Sequence, residues 1–361
     1  MTTSNGEWSD KYNPFNSIKA VAHVQYWQSI KQGIIPPPFF LSIDPSGICN
    51  YSCPFCNASH TLQSNPAQLS IDDINDIMDL LKFWRTRAVC VGGGGEPLTN
   101  PHTGYLIDLL THNGIDIGVV TNGSAIDRFM DPLSLCKWVG VSMNAGTADT
   151  HAKAMGCKPE DFDKVLKNIR SLVSYRKKHK TNVEVTYKYL IHPLNYKEIY
   201  EAARIAKEIG CDLIHIRPGD DPWFNKGANE FALTPAQISE SRALIDSART
   251  KLEDSSFKVY GVSHKFDADW RPKKSFKNCY ATLVQCLISS SAQIELCCDR
   301  RGYQGLILCS VRDARDKWGG DKHKKMVEEI DVNQCPRCTY THVNEIFENV
   351  VLDDRMLYDF I

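Results

Sequence analysis

The strongest constraint on this chain is a repeated switch of hydrophobic period between residues 39 and 217. Short runs that alternate with period two are each followed by a longer run with a helical stripe. Strands are expected at 39–44, 88–91, 116–121, 138–144, 183–190 and 213–217, and helices at 70–84, 102–113, 161–178 and 196–209. Ser70 and Asn195 stand where helix N-caps are wanted, and Gly210 where a helix stops. The 161–178 segment carries Val165, Ile169, Leu172 and Val173 on one face. Repeated strand-then-helix units predict an α/β fold with a parallel sheet under outer helices, and right-handed crossovers curl such a sheet toward a barrel.

The strand phases add a second expectation. Alternation puts Glu184, Thr186 and Lys188 on one face of their strand, opposite Val183, Val185, Tyr187 and Tyr189. His215 and Arg217 likewise oppose Ile214 and Ile216, and Ser142 and Asn144 oppose Val139, Val141 and Met143. One polar face per strand predicts a polar lumen able to hold something charged. After Pro218 the rhythm stops: 219–233 reads as a loop with Asp220, Asp221, Trp223 and Phe224, and Thr234-Pro235 opens a helix to about 254.

The 14 cysteines set the chemistry. A disulfide scaffold is short and secreted, whereas here the first residues are polar and lack a signal-peptide core, so clustered thiols in a reducing cytosol read as metal ligands. A formal charge of −1 gives no global pull toward nucleic acid or membrane, and no run approaches a membrane span. The expected location is cytoplasmic. Cys90, Cys136, Cys157, Cys211, Cys286 and Cys309 read as packing. Cys49, Cys53 and Cys56 form a C-x3-C-x2-C loop directly after the first strand. Three thiolates can hold three irons of a cubane and leave the fourth open to a small chelating molecule. Zinc competes, with His60 as a fourth ligand.

This loop, its place after strand one and the aromatic Phe55 before its last cysteine resemble the radical S-adenosylmethionine (SAM) superfamily. Gly94-Gly95-Glu96-Pro97, closing strand two, is similar to that family's GGEP element. The resemblance implies a partial (β/α)6 TIM-like barrel with a [4Fe-4S] cluster on Cys49, Cys53 and Cys56. It implies SAM on the open iron, cleaved reductively to a 5′-deoxyadenosyl radical that abstracts a substrate hydrogen. Phe55, Gly94, Gly95 and Glu96 carry over as cofactor contacts, and so, less directly, do Asn122, Ser142, Asn144, Lys188 and Arg217. A hydrogen bond or ion pair within the fold is the competing role for each of the latter five.

Cys279, Cys297, Cys335 and Cys338 resemble the twitch domain, a shortened relative of the SPASM extension, and imply one auxiliary [4Fe-4S] cluster; a zinc-ribbon site is the alternative. Cys298 rivals Cys297. Asp299-Arg300-Arg301 reads equally as a solvated turn or a substrate clamp. The expected organisation is an N-terminal extension over 1–38 with a helix at about 17–32, the barrel over 39–225, a connecting helix and loops over 226–270, and a cysteine-rich α+β domain over 271–361.

The expected function is hydrogen abstraction from a C–H bond of a polar small-molecule or nucleotide/sugar-type substrate, giving oxidation or rearrangement. The stretch Asn13-Pro14-Phe15-Asn16-Ser17 resembles a radical SAM group linked to modified sugars, nucleotides and phage-type DNA-base modification. Alternatives are a peptide substrate, a nucleobase in DNA reached through Trp270, Lys273, Lys274, Phe276 and Lys277, or a zinc-binding module without activity. A reductant such as flavodoxin or ferredoxin is the implied partner.

Overall fold

The computed structural model describes residues 22–38, 40–64, 66–219, 224, 230–262, 266, 274, 276–335 and 338–352. The Asn13–Ser17 stretch, Phe39, Asp220, Asp221, Trp223, Trp270, Lys273, Pro336 and Arg337 lie outside them. Six strands follow the expected order: β1 (Phe40–Ile43), β2 (Ala88–Val91), β3 (Asp116–Thr121), β4 (Trp138–Ser142), β5 (Glu184–Ile191) and β6 (Leu213–Pro218). All are parallel, with neighbours in chain order adjacent in the sheet. The helices between them include α3 (Ile71–Trp84), α4 (Thr103–His112), α7 (Glu160–His179) and α8 (Ile199–Glu208).

Local chemistry explains the helix ends. Ser70 Oγ accepts from the Asp73 N–H at 3.1 Å and the Asp73 carboxylate accepts from the Ser70 N–H at 3.0 Å, a reciprocal cap worth about 1 kcal/mol. Acidic Glu160, Asp161 and Asp163 begin α7 and basic Arg176, Lys177, Lys178 and His179 end it, each sign matching the helix dipole. Asn195 does not cap its helix. Its amide donates to the carbonyls of Asn144 and Leu190, both at 2.8 Å, and so pins the loop after β5 to the end of β4.

The outer face of the sheet is the core. Leu41, Ile43, Val91, Val119, Val139, Val141, Val185, Tyr187 and Ile216 are fully buried beneath the helices. The opposite face is the lumen, where Ser42, Cys90, Gly118, Trp138 and Glu184 lie in register across five strands. Two glycines make room there. A Cβ on Gly118 would stand 2.1 Å from the Trp138 ring, and one on Gly140 would stand 2.2 Å from Lys188 Cε. The Lys188 side chain therefore crosses β4, and its ammonium sits 5.4 Å from the Trp138 ring centroid, toward the N-terminal ends of the strands.

The sheet extends beyond the sequence expectation on both sides. Helix α9 (Pro235–Leu252) leads into β7 (Lys258–Gly261), which pairs parallel with β6, so the rhythm expected to stop at Pro218 runs one unit further. The long 219–233 segment and the four-residue strand hide that unit from a periodicity reading. On the other side, β8 (Gln285–Ile288) pairs parallel with β1, and β9 (Gln293–Glu295) and β10 (Ile307–Ser310) continue antiparallel. The result is one open ten-stranded sheet, β10-β9-β8-β1 through β7, that does not close into a barrel. The boundary drawn at 271 falls outside the described residues. Helix α1 (Val24–Lys31) packs Trp27 against Phe347, with ring centroids 4.6 Å apart. Among the described residues no helix is long and apolar enough to cross a membrane.

Candidate functional site

The loop carrying Cys49, Cys53 and Cys56 leaves the C-terminal end of β1, and three other elements fix its path. The turn after β2 supplies the first contact: Glu96 N–H donates to Ile48 O at 2.9 Å, and a Cβ on Gly95 would stand 2.3 Å from that oxygen. Glycine at 95 thus lets two backbones touch. The end of β3 supplies the second, since Asn122 Nδ2 donates to Asn50 Oδ1, and Asn50 Nδ2 to Ser124 Oγ, both at 2.9 Å. The third is α6 (Ala148–Met155), a helix missed from sequence. At its end Gly156 adopts φ 59°, its carbonyl accepts from Ser52 N–H at 3.3 Å, and Cys53 Sγ donates to Met155 O at 3.3 Å. Tyr51 and Phe55 are buried against Ala154, Met155 and Phe231.

The three thiols are half-buried and share an electrostatic environment. Burial pushes Cys49 up to about 11, and the neighbouring Cys56 thiol adds to that. Burial and both partner thiols push Cys53 well above the usual range. Burial also raises Cys56, opposed by backbone N–H groups and by the Arg301 guanidinium. Thiolates at these positions call for a bound cation to offset the lost hydration. Among the described residues no three His, Cys, Asp or Glu side chains converge on one point as a single ion requires. Cys53 feels both Cys49 and Cys56, so the three thiols lie within electrostatic reach of one another. His60, offered as a zinc ligand, places Nε2 at 2.9 Å from Arg301 O.

The other predicted contacts divide. Gly94 lies at the rim, where an added Cβ would approach Asp44 Oδ2 to 3.3 Å. The Glu96 carboxylate accepts from Leu98 N–H at 3.1 Å, Thr121 Oγ1 at 2.5 Å and Asn122 N–H at 2.6 Å, joining β2 to β3. Burial still pushes it up to about 7. Asn144 holds φ 52° and accepts from Leu190 N–H at 2.8 Å through Oδ1. Asn122, Glu96 and Asn144 therefore spend their side chains on the loops of the rim. Ser142 stands half-buried beside Lys188 in register, and Arg217 lies opposite Leu190. Burial, with Arg217 as a like charge, lowers Lys188 to about 8, and Cys90 partly offsets this.

Of two further features at the rim, one escaped the sequence and the other was left open by it. His192 packs its ring 4.9 Å from Phe55, and burial pushes it down to about 4. Its turn has no periodic signal. Arg301 donates through Nε to Asp44 Oδ2 at 2.7 Å and through Nη1 to Cys298 O at 2.7 Å. Asp299 accepts from Thr339 N–H at 2.7 Å and from Thr339 Oγ1 at 2.8 Å, and its carbonyl accepts from Asn57 Nδ2 at 3.1 Å. The Asp299–Arg301 segment is thus an internal strap, not a solvated turn.

That strap leads to the second cysteine set. Burial pushes Cys279 up to about 11, and Cys335 adds to the rise. Burial raises Cys297 with contributions from Cys298 and Cys279, and raises Cys338 with contributions from Cys279 and Cys335. Cys279 therefore feels each of the other three. Cys298 Sγ lies instead 3.8 Å from Tyr340 Oη. Cys90, Cys136, Cys211 and Cys286 are buried as expected, but Cys157 packs against the first loop and raises the Cys53 thiol.

The model of the radical SAM superfamily matches residues 43–206. The molybdenum cofactor biosynthesis protein moc-5 of Caenorhabditis elegans is 25% identical over 208 residues, 54% of this chain and 33% of that protein. The mycofactocin maturase MftC of Mycobacterium tuberculosis is 27% identical over 194 residues, 52% of this chain and 47% of that protein. The chain thus spans a third to a half of the length of these relatives. The crystal structure of Streptococcus suis SuiB bound to S-adenosylmethionine superposes with a TM-score of 0.64 at 16% identity, over 91% of this chain and 78% of SuiB. Parallel strands β1 to β5, a three-thiol loop leaving β1 and a family match that covers that loop give one conclusion: residues 43–206 are a radical SAM domain.

Proposed function

We propose that this protein cleaves SAM reductively and uses the radical to abstract hydrogen from a C–H bond of a polar small-molecule or nucleotide/sugar-type substrate. The observation that carries the reading is the loop itself: three thiols on one turn, held from β2, β3 and α6, with the Gly94 turn beside them. Cys49, Cys53 and Cys56 would hold the [4Fe-4S] cluster, which when bound supplies the electron that breaks the sulfonium bond of SAM. The chain's own part is to hold and to exclude. Glu96, Asn50, Asn122 and Asn144 fix the rim loops, and Phe55 and His192 close the apolar side of the cysteine loop against water. A reductant such as flavodoxin or ferredoxin would deliver the electron.

Cys279, Cys297, Cys335 and Cys338 are the proposed ligands of an auxiliary [4Fe-4S] cluster, supported by the mutual influence of their thiols and by the diversion of Cys298 toward Tyr340. A peptide substrate is the second reading, favoured by the similarity to the mycofactocin maturase. Action on DNA has less support: Phe276 is buried, and Lys274 Nζ donates to Cys335 O. The decisive experiment is anaerobic reconstitution with SAM and dithionite, followed by deuterium tracing from labelled substrate pools into 5′-deoxyadenosine. Formation of 5′-deoxyadenosine supports the reading, and its absence in an iron-loaded protein refutes it.

A further inference from the structure

A cation in the lumen, Lys188, has no anion beside it among the described residues. Its backbone is in register with Ser142, the last residue of β4, close to the rim where the cysteine loop lies. The side chain leans the other way, across Gly140, and lays its ammonium 5.4 Å from the Trp138 ring centroid. Glycine at 140 and at 118 is what permits this, since a Cβ at either would collide with Lys188 or with the Trp138 ring. Cys90 of β2, in register with Gly118, feels the Lys188 charge, and burial pushes its own thiol up to about 11, so it stays neutral. The ammonium thus lies inside the lumen, turned away from the rim and within reach of both β4 and β2.

The carboxylates of the lumen and rim are engaged elsewhere. Glu184, on the same face of β5, feels Asp212 and Arg176 and accepts from Thr186 Oγ1 at 3.4 Å. Asp44 pairs with Arg301, and Glu96 is held by Leu98, Thr121 and Asn122. The charged side chain that acts on Lys188 is Arg217, a second cation, one alternation further along β6 on the lumen face. His215, in register with Lys188, packs its ring on Tyr260 with centroids 4.8 Å apart. Taking an ammonium out of water beside a like charge is unfavourable, and one indole face offsets only part of that. Burial lowers Lys188 to about 8, which still leaves it charged at neutral pH. A group that brings negative oxygen into the lumen would relieve both penalties, by pairing with the ammonium and by screening the two cations from each other.

We infer that the lumen floor built by Trp138 and Lys188, with Arg217 beside it, binds an anionic oxygen group of the substrate, a carboxylate or a phosphate. The inference rests on the proposed function and gives its substrate a charge. Binding is read by calorimetry on the reconstituted full-length protein saturated with SAM, with D-ribose 5-phosphate, D-ribonate and neutral D-ribose as probes. At least one of the anions should bind about tenfold or more tighter than ribose. Ribose 5-phosphate ahead of ribonate assigns a phosphate, and the reverse a carboxylate. Lys188→Met keeps an aliphatic stem over Gly140 and removes an unpaired charge, so it should fold at least as stably as the parent. It should cut anion affinity by about tenfold or more and leave SAM affinity, read by equilibrium dialysis, unchanged. Three results overturn the inference: anions bound no tighter than ribose, anion affinity unchanged in Lys188→Met, or an equal fall in SAM affinity, which would make Lys188 a cofactor contact. Because 5′-deoxyadenosine formation is assayed independently, absence of anion preference in a SAM-cleaving enzyme sinks the lumen site alone, whereas absence of SAM cleavage sinks the proposed function.

Discussion

The two cysteine sets are built in opposite ways. Cys49, Cys53 and Cys56 sit on one short loop, and the fold acts on them from outside, by hydrogen bonds from the ends of β2, β3 and α6. Cys279, Cys297, Cys335 and Cys338 are spread along the C-terminal part of the chain and meet only because β8 and β9 fold back beside β1. A local set has almost no loop to close before its thiols meet, whereas a dispersed set forms only after the intervening chain has folded. The strap at 299–301 joins them, bonded through Thr339 on one side and through Asp44 on the other. Chemistry can therefore be local in one set and tertiary in the other while the two stay mechanically linked.

The sharpest test of this contrast is removal of thiols from each set. Changing Cys49, Cys53 or Cys56 to Ala should abolish 5′-deoxyadenosine formation and lower iron from about eight to about four per chain. Changing Cys279 to Ala should lower iron by the same amount and leave SAM cleavage measurable. Equal loss of cleavage from both sets would erase the distinction. Within the dispersed set, Cys297→Ala should lower iron, and Cys298→Ala should leave it unchanged; the reverse would exchange their roles.

Smaller effects probe the link and the seating of the local loop. Asp44→Ala leaves the Arg301 guanidinium, 21% exposed, without its carboxylate and should cost about 2–3 kcal/mol in denaturant unfolding, less than for a fully buried pair. Unchanged stability would mean that the strap holds without the ion pair. Glu96 yields a pH test. Its folded value near 7 lies above the ordinary 4.5, so the folded chain binds the proton more tightly than the unfolded chain. Its stabilising contribution is present at low pH and is lost as pH rises from about 4.5 through 7. Glu96→Gln should reduce the dependence of unfolding free energy on pH in that window by up to about 1.4 kcal/mol per pH unit, and an identical pH profile would contradict the assignment.

How much of this was legible follows from distance along the chain. The six strands, the Ser70 cap and the cysteine loop are encoded by residues within a few positions of one another, and the structure places them where periodicity and spacing predict. Lys188 was legible as a lumen cation, but its lean over Gly140 onto Trp138 depends on a glycine in a neighbouring strand. Asn195 has the chemistry of a cap, yet it bonds Asn144 and Leu190 because the β4 end comes within reach. Arg301 was undecided between solvent and substrate, and only its approach to Asp44 settled it as a strap. The pairing of β8 with β1 joins two distant segments, and nothing local in the sequence states it.

The amino-acid sequence alone determined the α/β alternation, the polar face of each strand and the clustering of three thiols in the loop after β1, since each depends on periodicity or spacing within one segment. Only the tertiary structure decided that the sheet stays open with ten strands, that the rim polar groups bond one another, and that the Lys188 ammonium lies over Trp138. Those outcomes depend on contacts between different elements, tens to hundreds of positions apart, whose free energy exists only once the sheet has assembled.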